Sequence, residues 1–242
     1  MKMNLNGKRV VVAGGSRGIG RSIALGFADA GAAVSICARG RAALDAAAAE
    51  MATRKVKVHA GVCDLADKGA IAAYIAAAAD SLGGIDILVN NASGFGSTDD
   101  EAGWEKGLTI DVMATVRASH AAIPFIEKSG GGAILNITSI SGYRANARTP
   151  AYAAVKATLI NYTMSQAVML APKLRLGNLT WLIVDNHSSS WPMGPWDAWL
   201  PPFGWDVHVV DGHDHDALAA AFEVRHQEQP VAVVADIPEG EW

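Results

Sequence analysis

The stretch from Val10 to Gly20 constrains the fold of this chain more than any other. Its apolar first part, VVVA, breaks into a glycine turn over residues 14–18, and an amphipathic helical pattern then runs from Ile19 to near Gly31. A strand that feeds a glycine turn and then a helix aims backbone N–H groups and the positive end of the helix dipole at one point. Glycine allows a ligand to approach the backbone there. The stretch therefore predicts the first half of a βαβ unit with a phosphate site, and glycines that only shape the turn are the alternative.

The end of the next predicted strand, Ala33–Ala38, indicates which dinucleotide would fit. Many dinucleotide-binding folds present an acidic residue there to the ribose 2′-hydroxyl. This chain instead has Arg39 and Arg41 after the strand, and Arg17 inside the glycine turn. Because guanidinium groups pair well with phosphate, the pattern favours NADP(H) over NAD(H). A solvated surface cluster of arginines is the alternative.

Composition excludes several classes of partner. The chain has 242 residues, of which 50% are hydrophobic and 18% charged, with a net charge of −4. It has no basic stripe, so we expect no nucleic-acid partner. Its apolar runs are short, and MKMNLNGKRV lacks the apolar core of a signal peptide, so we expect neither a membrane span nor export. Cys37 and Cys63 are predicted to be small buried side chains in a reducing cytoplasm.

Strand and helix signals alternate along most of the chain. This alternation predicts an α/β fold with a Rossmann-like, doubly wound parallel sheet between two layers of helices. The further predicted strands are 55–60, 85–90 and 132–138, and the further helices are 41–51, 68–82 and 104–127. A helix carrying Tyr152 and Lys156 begins at Pro150.

Ligands of such sheets gather at the carboxyl ends of the strands. Asp64 and Leu65 follow one predicted strand, and Asn90, Asn91 and Ala92 end and follow another. The Asp64 carboxylate could accept from an adenine amino group, and Asn91 could hold the turn or a coenzyme. Turn chemistry is the alternative for these residues, and for Asn90 it is the favoured one.

Tyr152 and Lys156 are one helical turn apart and therefore share a face of the helix. A phenol is a weak acid at neutral pH unless a nearby cation stabilises its phenolate, and Lys156 could supply that cation. Ser139 follows the strand 132–138, so it could hold a substrate oxygen while Tyr152 gives or takes the proton. A surface tyrosine beside a surface lysine is the alternative.

Four motifs occur together in this order: the glycine turn, NNAS at 90–93, TSIS at 138–141 and YAAVK at 152–156. From residue 4 to about residue 171 the chain closely resembles the classical short-chain dehydrogenase/reductase family. The resemblance implies that Ser139, Tyr152 and Lys156 are catalytic and that Lys156 also bonds the nicotinamide ribose. It implies that the pyrophosphate and neighbouring groups are held by Gly14, Ser16, Arg17, Gly18, Ile19 and Gly20, and the adenosine side by Arg39, Asp64, Leu65, Asn91 and Ala92.

Two residues depart from the pattern of the family. Ala13 stands where the family usually has threonine, which removes a hydroxyl that stabilises the turn. Asp111 stands where the family has an asparagine, the fourth catalytic member, which organises a water linked to the lysine. Aspartate still accepts hydrogen bonds but adds a charge, so we expect proton transfer to be tuned rather than abolished.

The composition changes near residue 172. Six of the seven tryptophans and seven of the nine prolines lie at or after this point. Residues 172–242 resemble part of the thiamine-diphosphate-binding domain of transketolase, a resemblance that implies Asn186 and the Ser188 carbonyl as magnesium ligands. The partner glycine–aspartate–glycine turn is missing, and two neutral oxygens hold a divalent ion poorly without a carboxylate, which argues against thiamine diphosphate and magnesium.

Histidines in the same segment raise the question of a metal site. His208, His213, His215 and His226 lie among Asp211, Asp214 and Asp216. The GHDH sequence also resembles a strand-to-helix turn of the transketolase family, with Asp or His capping a helix that begins near residue 216. We therefore predict no metal site.

The predicted strands 179–184, 205–210 and 231–235 and the helix 216–223 have the lengths of parallel α/β pieces. We expect them to complete or extend the first sheet, so that residues 1–171 and 172–242 form two regions of a hybrid chain, whether a natural fusion or a recombined one. Whether Trp191–Phe203 covers the coenzyme or packs on a helix stays open.

The resulting hypothesis is an NADP(H)-dependent oxidoreductase that interconverts a carbonyl and an alcohol, with low activity because the substrate loop is replaced. A folded hybrid that binds nucleotide without catalysis is one alternative, and a thiamine-diphosphate and magnesium fragment is another. The resemblance also implies a homodimer through the helices at 104–127 and 151–170.

Overall fold

The computed structural model describes residues 4–174, 180–185, 196–199, 201, 206–223 and 231–236. These residues fall into two compact units. The first is built from residues 4–168, and the second holds the described residues from 180 onward. Within the described residues, no helix is both long and apolar enough to span a membrane.

The first unit is a five-stranded parallel sheet in the order β3-β2-β1-β4-β5 with helices between the strands. This architecture confirms the predicted Rossmann-like fold. The strands are β1 (Arg9–Ala13), β2 (Ala33–Ala38), β3 (Val58–Val62), β4 (Ile87–Asn90) and β5 (Ala133–Asn136). The helices are α1 (Gly18–Asp29), α2 (Arg41–Ala52), α3 (Lys68–Leu82), α4 (Glu101–Lys106), α5 (Ala114–Lys128) and α6 (Pro150–Leu174).

Most residues of the central strands are apolar because helices cover both faces of the sheet. Val10 and Val12 of β1 pack with Val34 and Ile36 of β2 and with Ala24 of α1 in one buried cluster. The parallel pairing of β1 with β2 and β4 brings the ends of these strands to one edge. Residues that follow the strands, which the sequence marked as candidates, therefore share that edge.

Strand β3 begins three residues later than predicted. Lys55 has a φ of 59°, in the left-handed region that an extended strand cannot use. Its backbone N–H instead bonds to the Ala52 carbonyl and closes the end of α2. Lys55 thus belongs to a turn, which the apolar–polar alternation of the sequence did not reveal.

The single helix predicted over 104–127 is also wrong in detail. Helical backbone begins at Glu101, where the Asp100 carboxylate caps α4 by accepting from the Gly103 N–H at 2.7 Å. A π-helical segment, Gly107–Met113, then separates α4 from α5. This segment places one extra residue per turn, so residues on either side of it face directions that a regular helix would not give them.

An ion pair fastens the amino ends of the strands. Asp86, just before β4, accepts from the Arg9 backbone N–H at 2.8 Å and from its Nε at 2.7 Å. Burial raises the pKa of the Asp86 carboxyl, but the hydrogen bonds and charge of Arg9 outweigh burial, and the net pKa is lowered. The carboxylate therefore stabilises the fold above the ordinary aspartate pKa of about 4, and the contribution is lost as the pH falls through the lower folded value.

Replacing this carboxylate tests its contribution. We expect Asp86→Asn to lower the free energy of unfolding at pH 7 by about 2 kcal/mol, because Arg9 is left without its counter-charge. The difference should shrink as the pH falls from about 4, the ordinary aspartate pKa, through the lower folded value, because the wild-type carboxyl then loses its charge as well. Urea unfolding of both proteins across pH 3–7 measures it, and a difference that does not change with pH would contradict the ion-pair origin.

The second unit contains a three-stranded parallel sheet in the order β6-β8-β7. Its strands are β6 (Thr180–Asp185), β7 (Asp206–Asp211) and β8 (Val231–Asp236), with helices α7 (Trp196–Trp199) and α8 (His215–Glu223). Among the described residues these strands pair with one another and not with β5. The expectation that they extend the first sheet is corrected accordingly: β8 lies centrally, so β6 and β7 both find a partner within the segment.

The GHDH turn is placed as the sequence predicted. The Asp214 carboxylate accepts from the backbone N–H groups of Asp216 and Ala217 at 3.0 and 2.9 Å and caps α8. Asp211 likewise accepts from the His213 N–H. The residues implied as magnesium ligands, Asn186 and Ser188, lie outside the described residues, as does His226.

Candidate active site

The glycine turn packs so closely against its neighbours that a side chain at Gly15 or Gly20 would clash with them. Gly14 has a φ of 84°, and its carbonyl accepts from the Asn91 side chain at 3.0 Å. A Cβ at Gly20 would overlap that same carbonyl and the Asn91 amide, and a Cβ at Gly15 would overlap Ile36. The glycines therefore let α1 pack against the ends of β1 and β4.

The outer side of the turn is open. Gly18 has a φ of 54°, and nothing lies within 4 Å of the Cβ it would carry. Arg17 is the N-cap of α1 and makes no side-chain cap, whereas α3 is capped by Asp67. Exposed N–H groups at a helix start, beside an open glycine surface, fit a pyrophosphate. Ser16 is half-buried beside them, and Ile19 is exposed.

The ends of β2 and β3 carry the predicted adenosine-side residues. Arg39 and Asp64 are exposed and Leu65 is buried. The Asp64 carboxylate accepts from the Ala66 N–H at 3.0 Å, which is turn chemistry, and leaves its other oxygen available. Arg41 forms an ion pair with Asp45 at 3.6 Å, so part of the arginine cluster has a partner on α2.

Both cysteines lie beneath this edge as free, buried thiols, as predicted. The pKa of the Cys37 thiol is raised well above its ordinary value, chiefly by the hydrogen bond to Cys63 and to a smaller extent by burial. The Cys37 carbonyl accepts from the Gly15 N–H at 3.1 Å. Cys37 thus supports the glycine turn through its backbone.

Lys156 is a deeply buried charged group of the candidate site. Its side chain is 2% exposed, and its Nζ donates to the Ile137 carbonyl at 3.0 Å. The same Nζ lies 3.0 Å from Asp111 Oδ1 and 5.5 Å from the centre of the Tyr152 ring. A buried ammonium needs such partners because desolvation of a charge is costly.

Asp111 lies in the π-helical segment and is fully buried. Its Oδ2 accepts from the Gly94 N–H at 2.9 Å. Its Oδ1 accepts no well-aligned hydrogen bond within the described part of the chain, so the contact with Lys156 is ionic. Where asparagine would leave Lys156 as an uncompensated cation, this chain has a neutral ion pair.

Tyr152 is half-buried, and its ring packs at a tilt of 57° against the ring of Phe95, with 5.1 Å between the two centres. Ser139 is half-buried at the start of a 3₁₀ turn, where its Oγ accepts from the Ser141 N–H at 3.2 Å. Both residues lie beyond the end of β5, at the same edge as the glycine turn. The structure therefore pairs Lys156 with Asp111, places the Lys156 ammonium beside the Tyr152 ring, and keeps Ser139 at the same strand end.

Two parts of this edge were not foreseen from the sequence. Asn90 is not a turn residue: its side chain donates to Ser119 and to Asn136, and Asn136 donates on to Thr163 of α6. Phe95 was missed because a lone aromatic in a glycine-rich loop follows no periodic pattern. The position of Phe95 two residues after NNAS is the only sequence signal that could have found it.

A cavity of about 570 Å³ lies next to this edge. It is bounded by residues 141–147 and by the flank of α6 that carries Ala153 and Ala157. Ser139, Tyr152 and Lys156 do not line it. The cavity therefore adjoins the candidate active site without containing its reactive groups.

Comparison with known proteins defines the class. Residues 8–180 match the family described as short chain dehydrogenase. The chain is 36% identical over 177 residues to the uncharacterized oxidoreductase MT0954 of Mycobacterium tuberculosis, covering 71% of this chain and 67% of that protein. The chain belongs to the short-chain dehydrogenase family, whose members are oxidoreductases that bind nicotinamide nucleotides.

Two solved structures extend this comparison. One is a 7α-hydroxysteroid dehydrogenase in complex with NADH and 7-oxo glycochenodeoxycholic acid, with a TM-score of 0.71, 29% identity and coverage of 76% of this chain and 73% of that one. The other is a protein of Sinorhizobium meliloti 1021 described as a short-chain alcohol dehydrogenase, with a TM-score of 0.73 and 26% identity. It is similar over 98% of this chain and 97% of its own.

A substitution in the glycine turn tests the coenzyme site. We expect Gly20→Ala to raise the Kd for a nicotinamide nucleotide at least about tenfold, because the new methyl group would push α1 away from Gly14 and Asn91. Gly26→Ala in the same helix is the control, since nothing lies within 4 Å of its Cβ and alanine favours helix by up to about 1 kcal/mol. Fluorescence titration with NADPH and NADH measures both, and equal Kd values for the two variants would contradict the role of the turn.

Proposed function

We propose that this protein is an NADP(H)-dependent oxidoreductase that interconverts a carbonyl compound and an alcohol. The observation that carries the proposal is the buried Lys156 ammonium 5.5 Å from the centre of the half-buried Tyr152 ring, at the edge that holds the glycine turn. A cation beside a phenol stabilises the phenolate and fits Tyr152 for proton transfer. Family membership supports the oxidoreductase class.

In this mechanism the coenzyme, when bound, supplies or accepts the hydride at the carbonyl carbon. Tyr152 donates its hydroxyl proton to the carbonyl oxygen during reduction and accepts it during oxidation. The Ser139 hydroxyl orients that oxygen. Lys156 stabilises the Tyr152 phenolate, while Asp111 and the Ile137 carbonyl hold the ammonium in place. The pyrophosphate would be bound by the N–H groups of residues 14–20.

Removing the phenol hydroxyl tests the proton-transfer role. We expect Tyr152→Phe to lower kcat for ketone reduction at least about 100-fold while changing the Kd of NADPH less than about twofold. Tyr162→Phe is the matched control, because Tyr162 lies on the same helix and its hydroxyl accepts from Gln166. If Tyr152→Phe keeps wild-type kcat on a panel of ketones, Tyr152 is not the proton donor.

The choice of NADP(H) is the finer part of the proposal. It is supported by the exposed Arg39 and by the absence of an acid after β2. It has a competitor in NAD(H), since the related 7α-hydroxysteroid dehydrogenase was solved with NADH. A 2′-phosphate near Arg39 would gain a charge-assisted contact that a 2′-hydroxyl lacks.

We expect Arg39→Ala to raise the Kd of NADPH about tenfold and to leave the Kd of NADH within about twofold. Arg54→Ala is the control, because Arg54 pairs with Asp29 at 3.0 Å after α2. Parallel fluorescence titrations of the wild type and both variants measure the ratio of the two Kd values. A wild-type protein that binds NADH more tightly than NADPH would replace NADP(H) with NAD(H) in the proposal.

Several further properties are part of the same proposal. The partner is a small carbonyl or alcohol substrate, and the protein is cytoplasmic. A homodimer would form through the helical stretches 104–127 and 151–170, and its support is the exposure of Leu108 and Met113 on the first and of Val168 and Met169 on the second. Light scattering of the purified protein measures this state.

The hybrid origin of residues 172–242 remains a hypothesis with its own support. That support is the tryptophan- and proline-rich composition and the Asp214-capped turn after β7. It favours a folded, nucleotide-binding protein of low or no activity as the second candidate function. NADPH binding without turnover of any ketone would favour this candidate. Magnesium-dependent binding of thiamine diphosphate without NADPH binding would favour a third candidate function, that of a thiamine-diphosphate and magnesium fragment.

A further inference from the structure

Phe95 has a backbone conformation that its residue type disfavours. Its φ is 47°, in the left-handed region where a bulky side chain is strained. Its side chain is nevertheless 62% exposed, so burial of the ring does not compensate for the strain. Asparagine or glycine would adopt this conformation more easily. Strain without burial requires another reason for an aromatic residue at this position.

The loop around Phe95 is fastened on both sides. The Phe95 N–H donates to Ser93 Oγ at 3.1 Å, and the Gly94 N–H donates to Asp111 Oδ2 at 2.9 Å. Gly96 is buried, and a Cβ there would overlap the Gly103 carbonyl of α4. The strained conformation is therefore imposed by neighbours that include the Lys156 ion-pair partner.

These contacts direct the Phe95 ring to the Tyr152 ring. The two ring centres are 5.1 Å apart with a tilt of 57°, the arrangement in which an aromatic edge meets an aromatic face. The contact uses only part of the Phe95 ring, since most of its surface stays exposed. An open apolar surface therefore stands directly beside the phenol that we assign to proton transfer.

We propose that Phe95 is a specificity-determining residue whose exposed ring binds the apolar part of the substrate next to the reacting carbonyl. The substrate class is then a ketone, or the matching secondary alcohol, that carries an aromatic or alicyclic ring. A small hydrophilic ketone has no surface to place against Phe95. This inference rests on the proposed function, because it takes Tyr152 as the proton donor.

A purely structural role for Phe95 would predict different burial, backbone conformation and stability effects from a substrate-binding role. A ring that served the fold would be buried and would sit on unstrained backbone. Its replacement by a residue that tolerates left-handed backbone would then lower stability. Replacement of a substrate-binding ring held under strain instead leaves stability unchanged or raises it, and lowers activity only on substrates that used the ring.

The test compares Phe95→Asn with the wild type. Asparagine accepts the left-handed conformation and removes the apolar surface. Val209→Asn on β7 is the matched control, because Val209 is 49% exposed and lies in the other compact unit, outside the candidate site and the proposed dimer helices. Acetophenone is the ring-bearing probe and dihydroxyacetone the hydrophilic one, each with NADPH and with NADH. Thermal unfolding of all three proteins supplies a readout independent of turnover.

We expect Phe95→Asn to lower kcat/KM for acetophenone about tenfold, mainly through KM, because an apolar contact of aromatic size is lost. For dihydroxyacetone the change should stay within about twofold. The Tm of Phe95→Asn should equal or exceed that of the wild type, and Val209→Asn should leave kcat/KM for both ketones unchanged. Equal loss on both ketones, no loss on acetophenone, or a Tm lowered by several degrees would each overturn the proposal.

A binding measurement that does not depend on turnover tests the proposal if the protein proves inactive on both ketones. If coenzyme binds but neither ketone reacts, saturation-transfer NMR of acetophenone with the coenzyme complex decides: a signal weakened by Phe95→Asn supports the proposal, and an unchanged or absent signal overturns it. If neither NADPH nor NADH binds to the folded wild type, the result contradicts the proposed function itself, and with it the role of Phe95 that rests on that function. The two failures are thus distinguishable.

Discussion

The buried ammonium of Lys156 is the charge around which the candidate active site is arranged. Desolvation of a cation costs several kcal/mol unless opposite charge and hydrogen bonds compensate. Here the compensation comes from Asp111 Oδ1 and the Ile137 carbonyl, each at 3.0 Å. Asp111 in turn holds the Gly94 N–H, so the position of the loop after β4 depends on the same pair. Loss of either charge would weaken the contacts among α6, the π-helical segment and the loop after β4.

The amino and carboxyl ends of the strands differ in their contacts: the amino ends are joined by an ion pair, and the carboxyl ends leave open surface. At the amino ends, Arg9 and Asp86 join β1 to the start of β4 and reach Ser129 after α5. At the carboxyl ends, the glycine turn, the Lys156 pair and Tyr152 leave open surface for ligands. The strong ion pair at the far end contributes stability without occupying the ligand-binding edge. Strain is found at the carboxyl end, where Phe95 has its left-handed backbone.

Local patterns in the sequence predicted the first sheet and which residues lie at the carboxyl ends of its strands. The glycine turn, the apolar strands and the Tyr152–Lys156 spacing each depend on residues close together in the chain, so periodicity and motif were sufficient. The ion pair between Asp111 and Lys156 joins positions 45 apart, and only the resemblance to a known family suggested that they were related. Residue type alone did not reveal the left-handed backbone of Lys55, which closes the end of α2 through Ala52, or that of Phe95, whose loop is held by Asp111.

The second sheet shows the limit of pattern reading most clearly. The strands β6, β7 and β8 were predicted within one residue at each end, because their apolar runs are local. Their partners were predicted wrongly, since a parallel strand finds its neighbour through long-range contacts that a run of valines does not specify. The pairing of β8 with both β6 and β7 gives each of these two strands a partner within the segment.

The π-helical segment at 107–113 has a consequence for how insertions and deletions are tolerated. Deleting one residue there would convert the stretch to regular helix and rotate the chain on one side of it by about 100° relative to the other. Asp111 would then turn away from Lys156, or α5 would present a different face to α3. The widened turn therefore fixes the number of residues between Asp100 and Lys128, whereas the length of a surface loop can change without rotating a helix.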